Sequence, residues 1–255
     1  MYSTFSFGPL SLPTSPFLTL LAVMLGMDIF SRYGERLGLD ADDTWNLSLW
    51  AILTGLIVAR LWNVVQFWGV YQSQPLLIFS PRPSGFIVMP GLIAALIVAY
   101  GYMIYRALPP MRIAAAAVMG GLFVSAVLSL SAFLTGTLIG TESTLPWAMS
   151  YYGEYQHPVG VYRAIGFLLV LVTVWLISQP KSPATDPRQT ILLGGLGYSL
   201  VHLIADAFVA DAFVADAALM GTVRWSQLIG FAGALLCLLL LSLRQQTQIS
   251  ASAPA

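Results

Sequence analysis

Charge is scarce in this sequence. Eleven Lys and Arg and eleven Asp and Glu make up only 9% of 255 residues, and they cancel to a formal net charge of zero. A soluble domain carries about a quarter charged residues, so a water-facing globule is excluded. No basic patch stands out, which excludes a nucleic-acid partner. Cysteine is nearly absent: the single Cys237 rules out a disulfide framework. With two histidines and no cysteine cluster, no zinc ligand set is expected, and the expected metal is none. What the chain has is apolar surface, 58% hydrophobic residues at a mean hydropathy of +0.80, which excludes disorder.

The apolar residues fall into runs near the 20 or so needed to cross a bilayer. Seven are legible, at residues 13–31, 46–68, 86–105, 113–133, 158–177, 190–209 and 226–243, separated by Pro, Gly and charge-bearing loops. The fold class expected is an all-α integral membrane protein with seven transmembrane helices in one domain over 1–255, with 245–255 a flexible tail. Arg32, Arg36, Arg106, Arg112, Lys181, Arg188 and Arg244 fall on one side, against Arg82 and Arg224 on the other. The positive-inside rule then puts the N-terminus outside and the C-terminus in the cytoplasm. The first sixteen residues lack a basic n-region, so no cleavable signal peptide is expected.

Loop features read as structural. Asp42 and Asp43 suit capping and dipole complementarity at the start of the second span. The tryptophans, mostly near span ends, suit an interfacial belt. The stretch DAFVADAFVADA at 206–217 repeats every five residues. At about 100° per residue, five residues turn about 140°, so its aspartates cannot share one helix face. The sixth span is therefore expected to end near Val209, with Asp211 and Asp216 beyond it.

Ionisable residues within spans are costly and mark function by default. Asp28 and Arg32 are spaced as a local i,i+4 pair. The others gather at one level of three spans: Arg60 in the second, His157, Tyr162 and Arg163 at the start of the fifth, His202 and Asp206 near the end of the sixth. Tyr198, His202 and Asp206 form an i, i+4, i+8 stripe. Asp206 can orient a His202 nitrogen and make it a better base. If Arg60 and Arg163 converge on them, the pocket is net positive and suits a phospholipid headgroup, because guanidinium forks bind phosphate bidentately. The same residues also suit plain structural pairs, such as Asp206 with Arg163.

Five segments occur in order: FSFGPLSL at 5–12, RLGLDADDTWNLSLWAILTGLIVARL at 36–61, LPW at 145–147, HPVGVYRA at 157–164 and GYSLVHLIAD at 197–206. Together they resemble the prolipoprotein diacylglyceryl transferase family over nearly the whole chain. The resemblance implies a bacterial inner-membrane, multi-pass enzyme without a cofactor. It would move a diacylglyceryl group from phosphatidylglycerol to the lipobox cysteine thiol of an exported prolipoprotein, releasing glycerol phosphate. It also implies that Arg60 matches the arginine of a G-x-R segment. His157, Pro158 and Tyr162 match an H-P-x-Q-L-Y-E motif, and Tyr198 matches the tyrosine preceding a headgroup-binding arginine.

Several positions depart from that pattern. The family signature G-R-x-G-N-F-x-N-x-E-x-x-G falls on LSLSAFLTGTLIG at 128–140. Its arginine is Ser129, its asparagines Ala132 and Thr135, and its glutamate Thr137, while Phe133, Gly136 and Gly140 remain. The expected thiol base is Met89, the sixth-span arginine is His202 with Asp206 as its acidic partner, and the glutamate after Tyr162 is Arg163. A first-span tyrosine is Ser15.

Two readings follow. In the first, a transferase uses His202, Asp206 and Tyr162 catalytically, with Arg60, Arg163, His157, Tyr198, Gly136 and Gly140 binding substrate. In the second, the chain is an inactive lipid-binding or scaffold subunit on the same fold. Expected partners are a phosphatidylglycerol-like phospholipid and exported prolipoproteins or other membrane subunits. A transporter is disfavoured, because no inverted repeat or paired broken helices are seen.

Overall fold

The computed structural model describes residues 4–7, 10–79, 85–151, 153–178, 186–210 and 224–252. Arg82, Lys181, Asp211 and Asp216 lie outside the described residues. In chain order the elements are β1 (Thr4–Phe7), β2 (Leu10–Pro13), α1 (Thr14–Arg36), α2 (Ala41–Gln66), α3 (Trp68–Ser73), α4 (Val88–Tyr105), α5 (Pro110–Thr135), β3 (Met149–Tyr151), β4 (Glu154–Gln156), α6 (Val159–Ile177), α7 (Pro187–Ala205) and α8 (Trp225–Ser252). All these helices except α3 are long and apolar enough to cross a membrane, seven among the described residues, and they fall on the seven apolar runs. Leu236, Leu239 and Leu243, at one-face spacing on α8, are 57%, 60% and 58% exposed. Such a leucine stripe is a surface for lipid rather than water. Helix α8 runs on past Leu243 to Ser252, with Arg244 ion-paired to Asp186, the N-cap of α7.

The chain divides into two compact units, Met1–Leu37 with Ala114–Ala255, and Gly38–Ile113.

In the Gly38–Ile113 unit, α2 and α4 cross at two glycines. A Cβ on Gly91 would lie 2.6 Å from the Gly55 oxygen and 2.7 Å from the Ala59 Cβ, so main chain packs on main chain. Small residues at such crossings are how membrane helices associate without a hydrophobic drive. Asp42 and Asp43 stand in the first turn of α2, as dipole complementarity expects, but the cap is Asp40, which accepts from the Asp42 and Asp43 amides. Asp43 also pairs with Arg106 at 2.7 Å. That hydrogen bond, and then the Asp43 charge, raise the Arg106 guanidinium above its ordinary pKa.

In the larger unit, α1 and α5 cross at Gly26 and Gly120, where a Cβ on Gly120 would sit 2.8 Å from the Gly26 oxygen. Helix α6 packs on α5 through Gly160, whose missing side chain admits the Ser129 oxygen and Phe133. At one end Tyr33 and Thr190 share a hydroxyl hydrogen bond of 2.6 Å, and Arg36 stacks 3.9 Å over the Trp175 ring. Trp175 thus has a defined partner beyond any belt role. The expected Asp28–Arg32 pair is present at 2.7 Å. The other end carries the polar residues of interest.

Candidate functional site

At that other end the unit is organised by three residues. Helix α7 stops at Ala205 and the chain tightens into a 3-10 turn, Asp206–Phe208. Asp206 is 2% exposed. A buried carboxylate needs compensation, and Asp206 has it on both oxygens. Arg163 of α6 donates to Oδ1 from Nε at 2.9 Å and Nη2 at 2.5 Å, while His202 Nδ1 lies 3.3 Å from Oδ2. The structure therefore brings Arg163, His202 and Asp206 together. With a hydrogen on Nδ1 toward the carboxylate, a neutral His202 has Nε2 as its acceptor. The His202 ring packs on Tyr198 at 4.8 Å and Phe167 at 5.6 Å, and Tyr198 stacks on Phe167 at 5.1 Å. The expected stripe on α7 is thus a contiguous column.

A second cluster adjoins the turn. The Phe208 ring lies 4.8 Å from His157 and 5.9 Å from Tyr162. The Tyr162 hydroxyl accepts from Trp147 Nε1 at 2.9 Å and lies 3.1 Å from His157 Nδ1. Trp147 is the site residue that sequence reading assigned to a belt; its LPW context and its distance from any helix were the available signals.

The loop joining α5 to α6 is pinned to the same turn. Thr141 N donates to Phe208 O at 2.8 Å, Ala210 N to Ile139 O at 2.9 Å, and His157 N to Thr141 O at 3.0 Å. Gly140 permits this, since a Cβ there would come within 2.7 Å of the His157 Cβ. Gly136 has φ +67° and ends α5. The Thr137 amide reaches back to Ala132 O at 3.0 Å and the Gly136 amide to Phe133 O at 3.2 Å, a Schellman cap. The degenerate signature segment, 128–140, is therefore the last turns of α5 and its cap, and both glycines shape the chain. Tyr151 of β3 donates to Phe133 O at 3.3 Å, and burial pushes its phenol above the ordinary tyrosine pKa.

Arg224, 7% exposed, was expected only as a charge on the sparse side. Its guanidinium donates to the main-chain oxygens of Asp206, at 3.0 Å, and Val209. In the Gly38–Ile113 unit Arg60 likewise serves main chain, donating to the oxygens of Ile78 at 3.0 Å, Gly85 at 2.8 Å and Leu77 at 2.5 Å. Three of its five N–H donors are thereby committed. Met89, at the position of the family's expected base, is 69% exposed.

Three cavities bear on the site, two of them walled in part by His157 of the second cluster. One, about 430 Å³, lies between α6 and α7 with Gly166, Val170, Gly197, Val201 and Ile204 in its walls and Trp147, Tyr162 and His157 at its polar edge. A smaller one, about 230 Å³, continues it along the same helices through Val170, Gly197 and Leu200 to Ile177 and Leu193. A further cavity is an open groove of about 980 Å³ on the α5–α6 loop and the β3–β4 hairpin, with Ser143, Thr144, Glu154 and Tyr155 among its walls. Among the described residues no group of three His, Cys, Asp or Glu comes together to hold a metal.

Comparison with known proteins meets this geometry. The family model for prolipoprotein diacylglyceryl transferase matches residues 3–243. The chain is 26% identical over 236 residues to the phosphatidylglycerol–prolipoprotein diacylglyceryl transferase of Clostridioides difficile (strain 630), covering 91% of this chain and 92% of that protein. It is 25% identical over 224 residues to the one of Finegoldia magna, covering 84% of each. The Lactobacillus johnsonii protein of the same name is 25% identical over 247 residues, 91% of this chain and 87% of that protein. With these bacterial relatives and seven membrane-capable helices, it is a multi-pass protein of the bacterial inner membrane. A match that runs from residue 3 to residue 243 makes this chain a member of the prolipoprotein diacylglyceryl transferase family.

Proposed function

We propose that this protein transfers the diacylglyceryl group of phosphatidylglycerol to the cysteine thiol of a prolipoprotein. The observation that carries the reading is an apolar cavity between α6 and α7 with the hydrogen-bonded Trp147–Tyr162–His157 cluster in its wall, next to a turn on which a second cluster, Arg163–Asp206–His202, is also built. An apolar trough with a few convergent polar groups at one edge is what a lipid with a reactive headgroup requires. The bias of basic residues supports an N-terminus outside and a C-terminus in the cytoplasm, an orientation in which these clusters would face the outer leaflet.

In this reading Arg163 meets the phosphate with the N–H donors that Asp206 does not occupy. His202, its Nδ1 hydrogen held by Asp206, takes the thiol proton on Nε2. The sulfur attacks the glyceryl carbon, a C–S bond forms, and the C–O bond to phosphate breaks with its electron pair going to oxygen. The Tyr162 hydroxyl, held by Trp147 and His157, hydrogen-bonds the leaving oxygen. Glycerol phosphate departs, and the proton on His202 passes to it or to water. Tyr198 keeps the His202 ring in place.

Purified protein in phosphatidylglycerol micelles with a lipobox peptide tests this directly. Transfer by the wild type, lost in His202→Ala with folding retained, is the expected outcome. A wild type that neither transfers nor complements a transferase-depleted cell overturns the activity and leaves a lipid-binding scaffold. Undiminished transfer by His202→Ala overturns the assignment of the base.

A further inference from the structure

The apolar trough and the loop groove differ in character and touch at one place. The trough between α6 and α7 has apolar walls, and with its 230 Å³ continuation it follows α6 from Tyr162 to Ile177. Fifteen residues at about 1.5 Å each make that path about 22 Å, longer than the roughly 15 Å of hydrocarbon in one leaflet. The 980 Å³ groove is instead built from loop and hairpin, walled by Ser143, Thr144, Pro146, Glu154 and Tyr155. Among the described residues, only Leu145 and His157 line both cavities. A reaction between a lipid and a polypeptide needs two binding regions of unlike chemistry meeting at the reacting atoms, and these two side chains stand where such regions meet.

We infer that the groove on the α5–α6 loop and the β3–β4 hairpin is the acceptor polypeptide's site, and that the residues flanking its cysteine lie there against His157 and Leu145. The inference rests on the transferase reading and adds the acceptor's location to it. Three features fit a polypeptide. The groove is open, so a chain can pass through it. Its volume is at the top of the range of roughly 300–1,000 Å³ typical of ligand sites, room for several residues. Its walls mix hydroxyl and carboxylate groups with leucine, proline, alanine and tyrosine surfaces, suited to a polar main chain with small side chains. The groove is also anchored: Ser143 N donates to Tyr155 O at 2.9 Å, and Glu142 bridges to Gln156, so its two walls move as one piece. His157, clamped between Phe208 and the loop at Gly140, is the fixed partition.

The test separates the two regions. Thr144→Trp fills the groove from an exposed loop position, and Leu200→Trp fills the trough. Thr144→Trp is expected to raise the KM for a lipobox peptide about tenfold and leave that for phosphatidylglycerol within about twofold, and Leu200→Trp to do the reverse. A Thr144→Trp effect on the lipid KM, or on neither, overturns the inference. An inactive wild type would count against the transferase reading, so a second measurement is independent of turnover. A photoreactive benzophenone residue at 144 should cross-link a radiolabelled lipobox peptide in phosphatidylglycerol micelles, in competition with unlabelled peptide. The same residue at 200 should cross-link lipid. No peptide capture at 144, or capture of lipid there, overturns the inference whether or not the protein turns over.

Discussion

Arg224 and Asp206 meet through the main chain: the buried guanidinium donates to the Asp206 carbonyl oxygen at 3.0 Å, while the Asp206 carboxylate faces Arg163 and His202. One residue is thus fixed from two sides, its backbone by the start of α8 and its side chain by α6 and α7. The turn it begins also carries Phe208, against which His157 packs. Both histidines are therefore indexed to the same three residues.

Arg224→Ala should release that turn. Two main-chain oxygens lose a charged donor in a buried setting, a cost of about 2–4 kcal/mol. A thermal melt in detergent should fall accordingly, and transfer activity should fall further than the stability loss explains, because both histidines shift. Arg224→Lys, which can serve one of the two oxygens, should recover part of both. A melt unchanged in Arg224→Ala would show that the turn holds without it.

Asp206→Asn keeps the shape and removes the charge. Arg163 is then left with a side chain only 19% exposed and no counter-charge. Breaking a buried ion pair from one side costs about 3–5 kcal/mol, whereas removing both partners costs less. The double variant Arg163→Met/Asp206→Asn should therefore be more stable than Asp206→Asn alone. Denaturation of the two in the same detergent decides it; equal stabilities would show the pair to be uncoupled.

Most of the helical fold was legible because lipid leaves few alternatives. Each apolar run near 20 residues could only be a spanning helix, and the Asp28–Arg32 pair followed from spacing alone. The stripe Tyr198–His202–Asp206 was legible for the same reason, since helix periodicity fixes which residues share a face. What periodicity cannot give is the partner across a gap in sequence. Trp147 read as a belt residue because nothing local tied it to Tyr162, fifteen residues on. Arg224 read as a loop charge because its targets are carbonyl oxygens, which carry no residue identity. Gly136 and Gly140, expected to bind substrate, have a backbone role that no local pattern announced: one carries the left-handed turn that stops α5 and the other lets the loop lie on His157. Asp43 is the first-turn acid that its position predicts, but the cap is Asp40, and Asp43 also reaches Arg106, sixty-three residues away.

Gly140→Ala should separate activity from stability. The new Cβ would overlap the His157 main chain and approach its Cβ to 2.7 Å, so the loop must move and carry His157 with it. Overpacking of this kind costs about 1–3 kcal/mol. Displacing a positioned group by a fraction of an ångström can cost far more in rate, on the order of tenfold to a hundredfold. A transfer rate equal to wild type, with the melt lowered as expected, would remove His157 from the working site.

Tyr162→Phe removes one oxygen and leaves two orphans. The Trp147 indole N–H and the His157 Nδ1 both turn to the Tyr162 hydroxyl, so neither keeps its partner. Trp147 is 56% exposed and can turn to water, so stability should fall by only about 1 kcal/mol. The rate should fall much more, about a hundredfold, if the hydroxyl bonds the leaving oxygen in the transition state. The distinction from a binding role lies in the kinetics: kcat drops while the KM for phosphatidylglycerol stays within about twofold. Trp147→Phe, which removes the donor but keeps the hydroxyl, should cost about tenfold at most. A Tyr162→Phe enzyme impaired only in KM would place that hydroxyl on the bound lipid rather than on the departing group.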